Sequence, residues 1–266
     1  MDSAIEIFKR VLLSLREVIC DTKTAYNGGN AQVSQIYLGS KSAQYRGKLR
    51  EYCDSVIIQY MAEAMKLTKQ QTSVLIGTIL GDGFLQKTGE KNARLRLEHS
   101  QKQKDYVLWK GTIFGRLFQG KPSLLERVHP ISKTTYKYCR WQSSTCPAFG
   151  KWRKYFYPNG KKIIPNNIGG FLTEPISLAV WYMDDGYFNK IDRNSYIYLG
   201  RILLPEAEIL QKAINKNFAI LATIYDKKNK GFALFFGAKE TKELQKIIKP
   251  FIIESLQYKL FNPVTT

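Results

Sequence analysis

The sequence predicts an α+β protein built from two copies of one unit, and three observations predict it. Apolar runs ending in an acid and a glycine occur at residues 75–83 (Leu-Ile-Gly-Thr-Ile-Leu-Gly-Asp-Gly) and 178–186 (Leu-Ala-Val-Trp-Tyr-Met-Asp-Asp-Gly), which places Asp82 and Asp185 103 residues apart. The same order of strand, helix, hairpin and helix signals follows each run. Between the copies, residues 158–175 are rich in Gly, Pro and Asn and read as a linker. The resulting division is an N-terminal helical extension at 1–70, a first repeat at 71–160, a linker at 161–174 and a second repeat at 175–266.

Residues 1–70 read as helical segments around a polar stretch at 27–42, and no function attaches to them. Each acid-ended run is apolar on all sides, as a fully buried helix requires. Its last turn carries the carboxylate, and the glycine that follows suits a left-handed C-terminal cap. Alternation at 93–100 places Arg94, Arg96 and Glu98 on one strand face and Leu95 and Leu97 on the other. Spacing through Tyr106, Trp109, Ile113 and Leu117 predicts a helix over 103–118, followed by strands near 123–129 and 136–144. An amphipathic helix over 147–157, packing its aromatics and exposing its lysines, closes the unit. The second unit reads as a helix at 175–186, a strand at 195–202 and a helix at 205–218 with Pro205 in its first turn. A hairpin at 222–237 about the turn 226–231 and a helix at 239–249 complete it.

A carboxylate at a helix C-terminus meets the negative end of the macrodipole, so a positive group is expected beside it. Two such ends side by side form an acidic pocket, which divalent cations held by oxygen ligands would neutralise. Asp82 and Asp185 are therefore the candidate catalytic and metal-ligating residues. The carbonyls of Gly81 and Asp184 are further candidate ligands, because helix-end carbonyls lack internal partners. The copies also end alike, in Lys-Ile-Ile-Pro-Asn at 162–166 and Lys-Leu-Phe-Asn-Pro at 259–263.

The 266 residues carry a formal net charge of +19. Residues 84–175 hold 18 Lys and Arg against 5 Asp and Glu, while residues 176–266 hold 13 against 9. Such a balance favours a polyanionic partner, whose counterions are released on binding. Cys20, Cys53, Cys139 and Cys146 form no Cys-x-x-Cys pair and no signal peptide is evident, so a reduced, intracellular protein is expected. Apolar runs such as 11–15 and 177–183 fall short of the about 20 residues needed to cross a bilayer. Lysine far outnumbers arginine, as AT-rich coding in an organelle or microbe would produce. With only His99 and His129, histidine-rich nuclease sites and Ser-His-Asp triads lack material, and His129, Cys139 and Cys146 lack zinc-ligand spacing.

The duplicated motif resembles that of the LAGLIDADG homing endonucleases, in the single-chain form with two motif copies. Leu75, Gly77, Ile79, Asp82 and Gly83 fit the first copy, and Leu178, Ala179, Asp185 and Gly186 fit the second. Leu80 and Met183 replace the motif's first acid, and Val180 replaces a small residue. The resemblance implies two αββαββα repeats meeting at their motif helices, where Gly77, Gly81 and Ala179 permit close approach while Trp181 and Tyr182 face the cores. It places active-site lysines at Lys162 and Lys259. It makes the two antiparallel sheets a saddle over the DNA major groove, with Arg94, Arg96, Glu98, Ser100, Tyr138, Arg140, Gln142, Tyr198, Arg201, Lys227 and Lys228 as the contact surface. It further implies a monomer that cuts both strands of a long asymmetric site across the minor groove, leaving a 3′ overhang. Mg²⁺ would be the cofactor, with Mn²⁺ or Ca²⁺ able to occupy the same site. An intron RNA maturase with or without residual cleavage, or a non-catalytic DNA-binding regulator, stays open on the same duplication.

Overall fold

The computed structural model describes residues 66–261; expectations for residues 1–65 and 262–266 lie outside the described residues. All described residues belong to one compact unit, residues 62–266. Helix α1 (Lys69–Leu80) starts at a capping box in which Thr68 and Gln71 satisfy each other's backbone N–H groups. It is buried on every side from Ser73 to Leu80. Strands β1 (Phe84–Lys87) and β2 (Ala93–Ser100), helix α2 (Lys104–Phe114), strands β3 (Ser123–Val128) and β4 (Thr135–Gln142), and helix α3 (Pro147–Phe156) follow. The second repeat comprises α4 (Pro175–Asp185), β5 (Gly186–Asn189), β6 (Asn194–Gly200), α5 (Leu204–Phe218), β7 (Thr223–Asp226), β8 (Phe232–Phe236) and α6 (Ala238–Ile248). Each repeat holds one four-stranded antiparallel sheet, in the orders β1-β2-β4-β3 and β5-β6-β8-β7. The unit αββαββα thus occurs twice.

The repeats meet through α1 and α4 at the centre of the core. A Cβ on Gly77 would lie 2.3 Å from the Ser177 carbonyl oxygen and 2.8 Å from Val180 Cβ. One on Gly81 would lie 2.4 Å from Asp184 Oδ2. Val180, at a position expected to be small, fills the space that Gly77 leaves open. Trp181 and Tyr182 are buried, as their placement toward the cores requires, and Ala179 is buried as well.

Three expectations are corrected, and two strands without a pattern of their own appear. Neither Gly83 nor Gly186 adopts a left-handed backbone; Gly186 has φ −76°, and neither is among the positive-φ glycines. Space, rather than φ, demands glycine there: an added Cβ would lie 2.6 Å from the Thr78 carbonyl oxygen at Gly83 and 2.3 Å from that of Tyr182 at Gly186. Strands β1 and β5 had no signal of their own, because four residues are too few to show alternation. In α2 the buried stripe is Tyr106, Val107, Lys110, Gly111 and Phe114, rotated from the expected one; Trp109, Ile113 and Leu117 pack only at its margin. Finally, β6 ends at Gly200, whose φ is +67°, so Arg201 lies beyond the strand and donates from Nε to the Asn229 carbonyl at 3.2 Å.

Because the nearest atom to Gly77 is a backbone carbonyl oxygen of α4, the contact leaves no room for relaxation. Gly77→Ala should destabilise the fold by about 2 kcal/mol, against the about 1 kcal/mol by which alanine is the better helix former. Thermal unfolding checks this, with Gly170→Ala, whose Cβ meets nothing within 4 Å, leaving the midpoint unchanged.

Candidate active site and nucleic-acid interface

The close helix contact carries the two acids to one place. Asp185 is the last residue of α4, whereas Asp82 lies two residues past the end of α1, beyond the last turn expected to carry it, with half its side chain (51%) open to solvent. Burial first, then the negative charges of Asp82 and Asp184, push the Asp185 carboxyl up to about 8. The Asp82 carboxyl is also raised, by burial and then by Asp184, against the pull of Lys110, Lys259 and Lys162. Two carboxyls that resist joint ionisation, beside helix-end carbonyls, form a set of hard oxygen donors suited to a divalent cation.

The positive groups that the helix ends call for are the two expected lysines. Lys162 Nζ donates to the carbonyls of Leu80 at 3.2 Å and Gly81 at 3.1 Å. Lys259 Nζ donates to those of Met183 at 2.6 Å and Asp184 at 3.2 Å. Each repeat therefore supplies one ammonium to its own tip, and each ammonium sits on a carbonyl considered as a metal ligand. Burial lowers the pKa of both lysines, while the surrounding aspartates oppose the shift.

Two further residues at this place, Lys110 and His99, and the carboxylate of Asp184, whose carbonyl alone had been considered, escaped sequence reasoning. The Asp184 carboxylate is fully buried, accepts from Lys110 Nζ at 2.8 and 3.0 Å, and accepts from the Asp82 backbone N–H at 3.1 Å. Lys110 is itself fully buried, with its ammonium 4.2 Å from the centre of the Tyr106 ring and 3.3 Å from His99 Nε2. His99 lies on the core face of β2, its Nδ1 3.6 Å from Asp82 Oδ2. Burial and the Lys110 charge lower its pKa to about 4, so the ring is neutral at neutral pH. Donor atoms of Asp82, His99 and Asp184 lie within 4.8 Å of one another, but the Lys110 ammonium already serves as the cation at Asp184. A signal for Lys110 existed: it stands four residues after Tyr106 on the helix's apolar stripe, and a lone charge there needs a buried partner.

The expected residues of the first repeat share one face of its sheet. Cross-strand pairing of Arg96 with Gln142, Glu98 with Arg140 and Ser100 with Tyr138 puts these six on one face. Arg94 joins them by alternation and bonds Gln86 of β1 at 3.1 Å. Burial alone would raise the Glu98 carboxyl, but bonds from Arg140 and Arg127 more than offset it and hold it below the usual range. Arg127, on β3, had not been picked out. The second face differs: Tyr198 stacks on Tyr196, and Lys227 lies 4.4, 5.6 and 4.8 Å from the ring centres of Tyr196, Tyr198 and Tyr225. Lys228 is exposed in the adjoining turn, with φ +57°. Among the described residues, no helix is long and apolar enough to cross a membrane.

Two four-stranded sheets flanking a central pair of acid-ended helices define a class of fold found in DNA-cutting proteins. The chain belongs to the LAGLIDADG DNA endonuclease family, whose model matches residues 72–244. It is 32% identical over 216 residues to the probable intron-encoded endonuclease 1 of Wickerhamomyces canadensis, covering 78% of this chain and 91% of that protein. The cytochrome b mRNA maturase bI2 of Debaryomyces hansenii is 28% identical over 205 residues, covering 74% and 75%. Among solved structures, the homing endonuclease I-WcaI bound to its DNA recognition sequence superimposes with a TM-score of 0.70 at 28% identity, covering 78% of this chain and 93% of that one.

The raised Asp185 carboxyl sets a pH dependence. Its folded value of about 8 exceeds the ordinary 3.8, so its stabilising contribution is complete below about pH 4 and is lost as pH rises to about 8. In a chelator, the wild type should therefore lose stability relative to Asp185→Asn between about pH 5 and about pH 8. Thermal melts of the two proteins check this, and parallel curves would contradict it.

Proposed function

We propose that this protein is a sequence-specific, divalent-metal-dependent endonuclease of double-stranded DNA. The observation that supports this best is the pair of mutually repelling carboxyls, Asp82 and Asp185, on helix tips brought together between two sheet faces. Magnesium is the cofactor that fits, held by both carboxylates with the Gly81 and Asp184 carbonyls as neighbouring oxygens. Bound there, it would lower the pKa of a water and stabilise charge on the transferred phosphoryl group. Lys162 and Lys259 add a cation at each tip, placed to attract the phosphate backbone and to steady negative charge that grows on the scissile group.

The faces divide the reading of the target. Arg94, Arg96, Arg127 and Arg140 on the first suit guanine edges, which accept paired donors in the major groove. Tyr187, Tyr196, Tyr198 and Tyr225 on the second offer rings for thymine methyl groups, with Lys227 among them. Unlike faces imply an asymmetric site. Both motif copies lie in one chain, so the active unit is a monomer. The likeness to intron-encoded relatives supports an organellar intron as the home of the gene. The maturase similarity supports a second reading, assistance to splicing of intron RNA, through the same basic surface.

Asp82→Asn and Asp185→Asn should each abolish cutting while leaving DNA binding within about twofold. The check is selection of a cleaved site from a randomised duplex library with Mg²⁺, followed by cleavage and gel-shift assays on that site and a separate splicing assay. Normal cutting by either variant overturns the site assignment. A wild type that binds DNA without metal-dependent cutting overturns the nuclease reading.

A further inference from the structure

The two repeats share one strand order, and their buried chemistry differs most around Asp82. Pairing sets Arg96 opposite Phe84 and Tyr196 opposite Tyr187, so counting along the strands from these pairs brings His99 of β2 to Leu199 of β6, which lies where the β6 ladder shifts between Tyr198 and Gly200. The buried Val107, Lys110 and Phe114 of α2 correspond to Ala207, Leu210 and Ile214 of α5. At the helix tips Gly81 corresponds to Asp184. Three departures from symmetry, each expensive alone because it buries an ionisable group, thus meet in one connected network.

The network has a direction. Lysine has donors only, so its contact of 3.3 Å makes His99 Nε2 the acceptor. The proton of the neutral ring then resides on Nδ1, the nitrogen facing Asp82 Oδ2. From the other side Asp184 Oδ2 accepts the Asp82 backbone N–H. Asp82 is held at its main chain by one residue and faced at its carboxylate by another, and Lys110 orders both. Around Asp185 the corresponding positions offer Leu199 and Leu210, which can do neither.

We propose that His99, with its tautomer set by Lys110, is a positioning residue for the Asp82 carboxylate, and that the two strand cuts consequently depend on different groups. This rests on the nuclease reading. One cut relies on an aspartate steadied by an imidazole; the other relies on Asp185, which works without such a partner. The arrangement makes each strand separately vulnerable to substitution.

The test uses the full-length protein and a cleaved target duplex labelled differently on its two strands. His99→Leu installs the residue that the second repeat carries at this position. One strand should then be cut about tenfold more slowly or worse, as loss of an orienting partner typically costs, while the other keeps its rate and nicked duplex accumulates. DNA affinity, measured alongside, should stay near wild type, while the melting temperature falls modestly because buried Lys110 loses an acceptor. Equal slowing of both strands, or of neither, overturns the proposal. A second measurement needs no cleavage: ¹⁵N NMR of the imidazoles, with His129 the only other histidine, should show His99 in the Nδ1–H form. The Nε2–H form overturns the proposal even if the enzyme cuts, whereas a wild type that never cuts overturns the nuclease reading and leaves the imidazole result to judge the network.

Discussion

Everything in this molecule depends on how closely two helices approach. At Gly77 and Gly81 the backbone of α1 lies where a single methyl group would collide with α4. That proximity makes two repeats into one core, and it also brings Asp185 within reach of the charge of Asp82. Like charges at the negative ends of two helices oppose this packing. The protein offsets the cost with three lysines: Lys162 and Lys259 on the helix-end carbonyls and Lys110 on the buried carboxylate of Asp184.

The approach also constrains what surrounds the acids. Asp184 stands where the first repeat has Gly81, and the glycine leaves the room that its carboxylate fills. A buried carboxylate requires a buried cation, and α2 supplies it by replacing one residue of its apolar stripe with Lys110. A buried ammonium in turn needs acceptors, and His99 provides one from β2. A chain of necessity therefore runs from a single unpaired glycine to a site whose two halves differ chemically. The sheet faces diverge in the same spirit, arginine-rich in one repeat and tyrosine-rich in the other, although they share one topology.

Much of this was legible in the residues. The two acid-ended apolar runs marked α1 and α4, and alternation at 93–100 fixed which side chains of β2 face outward, because a half-buried strand has only two faces. The matched lysines at 162 and 259 were visible as a repeated ending. The His99, Lys110 and Asp184 network was not, since its members come from a strand, a helix and the opposite repeat, and no spacing links them. The face of α2 was misread because its stripe contains a charge and a glycine where apolar residues were sought. The left-handed reading of Gly83 and Gly186 failed for a related reason: glycine answers both to backbone angle and to crowding, and only the neighbouring carbonyls of Thr78 and Tyr182 show which applies.

The central claim is that the paired helix tips form one cation site. The most direct measurement is anomalous diffraction from a crystal of the protein with its target duplex and Mn²⁺. Manganese density within ligand distance of both the Asp82 and Asp185 carboxylates is the expected result. Density confined to other positions, or the two carboxylates turned apart with no ion between them and the DNA backbone, would contradict the account.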